Sequence, residues 1–497
     1  MKFFSSEMIV DQHGKAINFK MHSLQMPHMR ALHLAWISFM VAFLAWYSIP
    51  PVIDHIAEDL NIPSMEVYDS NMAAVAITIV ARLCVGPLCE RWGPRRVMSC
   101  LLVIGAIPCG LSGLLADGTG LIVLRCFIGI LGSAFIPCQL WTTLMFAPSV
   151  VGTANAISAG WGNMGAGISY LLIPACFDGI AKHTGASIAW RVVFVIPAGI
   201  CILVAFIDYF FSTDTPHGDW LKLRREEAQE KDVTSVMEAA SSNNTTTNDI
   251  TATSAVAIDK KYPASNSSML QDDTSISDVK RTQTAADALL GVFRVLIKPN
   301  VLITVCFYAC SFGTELAIDN VIGQVFRTNF HLDPSTASYI GSIFGLLNLF
   351  SRLSGGLFSD FWAHRFSLSG RILAQFILML AEGVALIGFS FGLDTSLGGA
   401  IALMVIFSFF VQAVCGSTFG IVPFIDPANN GKVMGIVGAG GNLGGLIFNL
   451  MFRQFQPNFH GAFLCLGCIT TGVALLGCSL ISIQGRSIWH LFSKVNA

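Results

Sequence analysis

Apolar stretches of about 20 residues, separated by short polar turns, run along nearly the whole chain. Each is long enough for one helical crossing of a bilayer core. Twelve are legible, at about 32–53, 70–89, 97–116, 121–146, 152–176, 190–211, 300–326, 335–359, 370–391, 398–420, 431–453 and 460–483. Six precede a long polar segment and six follow it. The pattern predicts an all-α membrane protein of two six-helix halves. Its expected divisions are a tail over 1–31, an N-terminal bundle over 32–211, a linker over 212–299, a C-terminal bundle over 300–483 and a tail over 484–497.

The linker contains DWLKLRREEAQEK, then a Ser/Thr/Asn run, SSNNTTTNDITATS. Such a sequence buries too little apolar surface to fold compactly, so a mostly disordered segment is expected. A short surface helix is expected within 217–231. Its Ser/Thr content suits kinases as partners.

Composition agrees with a lipid environment. The chain is 53% hydrophobic and 12% charged, against about 25% charged in soluble domains. A net charge of −2 gives no basic field for nucleic acid. The first thirty residues lack a signal-peptide apolar core. Cys465 and Cys468 form a C-x-x-C pair, but inside the last span, where cysteine is a small apolar packer. There is no nucleotide-binding loop, metal cluster or nucleophile constellation. The sequence therefore implies no cofactor, no metal and no enzyme.

Basic residues set the expected orientation. Arg91, Arg95 and Arg96 follow the second span, Arg365 and Arg371 the eighth, and Lys222, Arg224 and Arg225 open the linker. The turn after the first span is acidic, with Asp54, Glu58, Asp59, Glu66 and Asp69. Both termini and the linker are then cytoplasmic. Asn243, Asn244 and Asn266 match the glycosylation pattern, but on the wrong side for it.

Two arginines interrupt this apolar background. Arg82 lies in AITIVARLCVGPLCERWG and Arg352 in GLLNLFSRLSGGLFSDFWAHR. Each is followed by glycine at +4 (Gly86, Gly356) and a carboxylate at +8 (Glu90, Asp360). A guanidinium at midmembrane costs about 2.5–3.5 kcal/mol on insertion scales, so it marks a functional candidate. Two glycine-rich runs repeat as well. One holds Gly160, Gly162, Asn163, Gly165 and Gly167; the other holds Gly438, Gly440, Gly441, Asn442 and Gly444. Matched features in two halves point to a site between repeats, where secondary transporters hold substrate.

These residues resemble the major facilitator superfamily. Its loop signature reads here as Gly86-x-x-x-Glu90-Arg91-x-Gly93-x-Arg95-Arg96, with Glu for the usual Asp, and echoes at Gly356-x-x-x-Asp360. Arg125, in LRCFIGILG, resembles the helix-4 arginine motif. Within the superfamily the chain resembles the nitrate/nitrite porters, through AGWGNMGAG (159–167) and GAGGNLGG (438–445). The long linker, with FIGILGSAFIPCQLW and CSFGTELAIDN, is similar to eukaryotic, fungal-type members. The resemblance implies the major facilitator fold. It implies nitrate and nitrite as substrates, Arg82 and Arg352 as substrate arginines, and Phe135, Tyr308 and Phe312 as pocket aromatics.

The chemistry suits that reading. A planar guanidinium grips two oxygens of a planar anion, where lysine offers only a point charge. The side-chain amides of Asn163 and Asn442 are donors for nitrate oxygens or for neighbouring helices. The signature glycines serve helix packing, bending or close approach to ligand. Arg125, near the outer end of its helix, is expected to gate or brace. Glu315 and Asp319, four apart beyond Phe312, are proton-coupling candidates if they lie in the bilayer; otherwise they are solvated or paired with Arg327 or Arg191. Glu382 is a weaker candidate. The expected function is proton-coupled nitrate import at the plasma membrane. The alternatives are nitrate/nitrite exchange and a nitrate sensor signalling through the linker.

Overall fold

The computed structural model describes residues 7–147, 150–222 and 285–493. The disorder expected of the linker falls on 223–284, outside the described residues. Helices account for almost everything described. The N-terminal half contains α1 (His28–Leu60), α2 (Ser64–Trp92), α3 (Pro94–Leu114), α4 (Gly118–Met145), α5 (Val151–Thr184) and α6 (Ala186–Phe211). The C-terminal half opens with α7 (Pro299–Phe330). A 59-residue element, Pro334–Gly392, follows. It breaks at Ser367, whose φ of 56° is left-handed, giving α8 (334–366) and α9 (368–392). Then come α10 (Leu397–Phe424), α11 (Asn430–Phe455) and α12 (Phe459–Leu480). A short helix, Ala285–Leu296, precedes α7.

Local sequence sets these ends. Asp117, Asp333, Ser396 and Asn458 cap α4, α8, α10 and α12 by accepting from a backbone N–H three residues on. Each satisfies a donor that the first helical turn leaves open. Gly93 and Gly185, at φ of 87° and 85°, separate α2 from α3 and α5 from α6. Apolar side chains such as Leu83, Leu114, Phe206 and Leu476 stand more than half exposed on the outer faces, where lipid replaces water.

The spans are longer than their apolar cores, because polar turns at both ends continue the helices. α1 starts at His28, inside the expected tail. The rest of the described tail is folded too. Ala16 exchanges backbone hydrogen bonds with Met145 and Ala147 at the end of α4 (3.0 and 2.9 Å), and Phe19 stacks on Phe146.

The first residues of the expected linker are likewise held. The Arg95 guanidinium pairs with Asp214 (3.4 Å) and Asp219 (3.0 Å), and Arg96 with Asp219 (2.7 Å). Trp141 donates to the Thr213 carbonyl and Trp220 to that of Glu90. Burial pushes the Asp214 carboxyl above its ordinary range, against the opposing pull of Arg95. A helical turn begins at Trp220, within the expected 217–231.

The acidic side ties the halves together. Arg327 of α7 pairs with Asp54 (2.8 Å) and Glu58 (2.6 Å) of α1. Arg453 of α11 pairs with Asp69 of α2 (2.8 Å). Ser335 and Tyr339 of α8 donate to Asp178 of α5. Among the described residues, no ion pair joins the halves on the basic side.

Candidate functional site

α1 and α7 are the most enclosed spans, so polar groups on α7 must face protein. Tyr308, Phe312, Glu315 and Asp319 are all at most 2% exposed. The alternative of a solvated Glu315 and Asp319 is excluded here. Arg82 and Arg352 are buried as well, 6% and 2% exposed, on α2 and α8.

The two guanidiniums share the Phe312 ring as a neighbour. Arg82 sits 5.5 Å and Arg352 5.7 Å from its centroid, so the two charges are at most about 11 Å apart. Arg82 also lies 5.3 Å from Phe135. Tyr308 stacks on Phe312 (5.1 Å). Phe419 of α10 packs against both Tyr308 and Phe135. The three expected aromatics and one unexpected one thus form a single cluster, in which ring faces meet cations.

The arginines differ in their partners. Arg82 donates through Nε and Nη2 to the Gly132 carbonyl (3.2 and 3.0 Å) and through Nη1 to that of Gly438 (3.2 Å). These are neutral acceptors, one in each half, so its charge stays unopposed. Arg352 is ion-paired: Nη2 stands 2.5 Å from Glu315 Oε2, and Nε donates to Asn348 Oδ1 (3.4 Å). The Asn348 amide also donates to Glu315 Oε1 (2.7 Å). Neither Arg327 nor Arg191 takes Glu315; they serve acidic residues of the outer turns. Asp319 enters no ion pair among the described residues. Its carbonyl accepts from Tyr170 (2.7 Å).

Two helices break at this level. In α4 the backbone tightens to a 3₁₀ helix over Gly129–Ala134, which presents the Gly132 carbonyl to Arg82. In α8 it does so over Leu347–Leu349, at Asn348. Interrupted helices at midmembrane free backbone groups to serve a site.

The asparagines of the two signatures lie fully inside. Neither amide atom of Asn163 has a hydrogen-bond partner among the described residues, and Asn442 keeps Oδ1 unpartnered while its Nδ2 donates to Gly438 (3.0 Å). Buried amides without partners are uncommon and need a reason. The glycines mostly permit helix contact. A Cβ on Gly162 or Gly165 would strike Phe39 or the Met40 carbonyl of α1. On Gly160 or Gly167 it would strike the α8 backbone at Asn348 or Leu346. On Gly440, Gly441 or Gly444 it would strike Val305, Tyr308 or Ala309 of α7. Gly438 is open, its nearest neighbour being Arg82.

Arg125 is separate. It donates to Asn71 Oδ1 (2.6 Å) and Asn320 Oδ1 (2.8 Å), binding α4 to α2 and α7. Of the loop residues, Asp360 pairs with Arg371 (2.7 Å), and Gly86 and Gly356 have open surroundings. Sequence reading missed Asn348, Phe419 and the Gly132 carbonyl. A polar residue in an apolar run, four before Arg352, was the available signal for Asn348. Nothing marked the other two.

The Major Facilitator Superfamily profile matches residues 35–449. The chain belongs to the major facilitator superfamily. This facilitator is 34% identical to "High affinity nitrate transporter 2.5" of Arabidopsis thaliana, over 95% of its own length and 82% of the relative's. It is 28% identical to "Nitrate/nitrite transporter NrtP" of Nostoc punctiforme, over 91% of each. Its fold is that of the nucleoside transporter NupG, with a TM-score of 0.58 and 12% identity across 91% of this chain and 100% of that one. The facilitator is thus a multi-pass membrane transporter rather than an enzyme.

Proposed function

We propose that this protein imports nitrate, and also nitrite, coupled to protons by alternating access. The carrying observation is the pair of buried guanidiniums from opposite halves, 5.5 and 5.7 Å from the centroid of the Phe312 ring. An anion there would join the halves through charge-assisted bonds. Unpartnered amide atoms of Asn163 and Asn442 supply neutral contacts. The named substrates of the relatives favour nitrate and nitrite over other anions. The long linker, with FIGILGSAFIPCQLW and CSFGTELAIDN, favours the eukaryotic, fungal-type branch.

Glu315 supplies the coupling. Its carboxylate occupies Arg352 as an internal anion. Protonation removes that charge and frees the guanidinium for nitrate. Release of nitrate lets Glu315 give up its proton and pair again. A negative-inside potential opposes anion entry by about 2.3 kcal/mol per charge per 100 mV, so uphill import requires more than one positive charge per anion. Asp319 is the second candidate carrier.

With the basic loops, both termini and the linker cytoplasmic and the protein in the plasma membrane, the tied acidic side is extracellular. The conformation is then closed outward. Labelled nitrate and nitrite uptake into proteoliposomes, with and without an inward proton gradient, tests the whole reading. Gradient-driven accumulation is expected. Flux only against internal nitrite would indicate exchange, and nitrate binding without flux would indicate a sensor; either overturns it.

A further inference from the structure

We propose that Asn348 is a positioning residue of the transport cycle, tying the Glu315–Arg352 pair to the contact between the two halves. The inference rests on the reading of that pair as the coupling element. Three observations carry it.

First, one amide serves both partners. Nδ2 donates to Glu315 Oε1 (2.7 Å) and Oδ1 accepts from Arg352 Nε (3.4 Å). Carboxylate and guanidinium are therefore fixed by a common third group, itself 1% exposed. Second, Asn348 lies in the 3₁₀ interruption Leu347–Leu349, followed by Phe350 at φ −130°. Mid-helix 3₁₀ segments mark hinges. Third, the same turn touches the other half. The Asn348 carbonyl oxygen lies 2.8 Å from where a Cβ on Gly160 of α5 would stand. Trp161 Nε1 donates to the neighbouring Leu349 carbonyl (3.0 Å). Sliding of α5 against α8 as the halves rock would thus shift the residue that aligns the ion pair.

Among the described residues, the N-terminal half has no counterpart. Four residues before Arg82 stands Thr78, whose hydroxyl donates to the Ala74 and Gly129 carbonyls. It hydrogen-bonds to no titratable group among the described residues, which fits a fixed anion arginine on one side and a switched one on the other.

The test is nitrate flux in proteoliposomes, in two modes across a range of pH. The groups that titrate or carry charge around Glu315 are Arg352, Cys415, Asp319, Glu382, Tyr47 and Tyr308, and all remain in the variants. Asn348→Ala is expected to lower proton-driven accumulation at least tenfold and flatten its pH profile. Nitrate/nitrate counterflow should stay within about threefold. Asn348→Leu keeps a similar shape but loses both the donor to Glu315 and the acceptor for Arg352, so it should uncouple similarly. In a Glu315→Gln background, Asn348→Ala should add nothing, because it acts through Glu315. An unchanged pH profile in both variants, or a further loss of counterflow when Asn348→Ala is added to Glu315→Gln, overturns the proposal. Absence of nitrate flux in the parent protein instead overturns the transport reading beneath it.

Discussion

Glu315→Gln probes the centre of the mechanism, because it removes one charge and almost no volume. Glu315 and Arg352 are 1% and 2% exposed, with 2.5 Å between the charged atoms. Removing one partner of a buried pair costs about 3–5 kcal/mol, since the other charge stays buried. The low end applies here, because the Asn348 oxygen still accepts from Arg352. Without substrate, the variant should therefore unfold about 3 kcal/mol more easily. Nitrate should reverse this. In the parent protein the anion must displace a carboxylate; in the variant it meets a bare guanidinium. Recovery of half to all of the lost energy, roughly 1.5–3 kcal/mol, means about 10–100-fold tighter binding. At a nitrate concentration that just half-saturates the parent, a hundredfold gain adds more than 2 kcal/mol of ligand stabilisation. The assay is thermal unfolding of purified protein against nitrate concentration, beside flux in liposomes. The variant should gain more stability from nitrate than the parent does, keep counterflow and lose pH-driven accumulation. Nitrate binding equal to or weaker than the parent's, or normal accumulation, would refute the internal-anion argument.

Arg82→Lys should reach the membrane yet bind nitrate at least about 30-fold more weakly, because one ammonium cannot span the Gly132 and Gly438 carbonyls and lost bonds to a charged group cost about 1.5–3 kcal/mol each; near-parental affinity would end its substrate role. Asp319→Asn should reduce uptake less than Glu315→Gln, as it breaks no ion pair; the two are compared in the same gradient-driven assay. Gly165→Ala should destabilise the protein by about 1–3 kcal/mol, because the added methyl meets the Met40 carbonyl; denaturation in detergent reads it. Arg327→Gln removes both outer ties to α1, so cysteines placed beside Tyr47 should react faster with external, impermeant reagents; unchanged labelling would show that the ties do not hold that side closed.

Twelve spans, two halves and a polar break were legible in the sequence, because a bilayer imposes length and apolarity on every crossing. The arginines and the glycine–asparagine runs stood out for the same reason: each violates a uniformly apolar background. Helix ends were less legible, since capping and polar turns extend helices past their apolar cores. So were residues 7–27 and 212–222, whose polar sequence gave no sign of docking on α2, α3 and α4. What only tertiary structure decided was who faces whom. Arg82 and Arg352 look equivalent along the chain, yet one rests on neutral carbonyls and the other on Glu315, 37 residues away. Asn348 gains its place from a break in α8 that no periodicity announces, and Phe419 from α10 lying against α7. Hydropathy is a property of single segments and survives in one dimension. Partnership depends on helix rotation and crossing, which many distant side chains set together, so it exists only once the halves are packed.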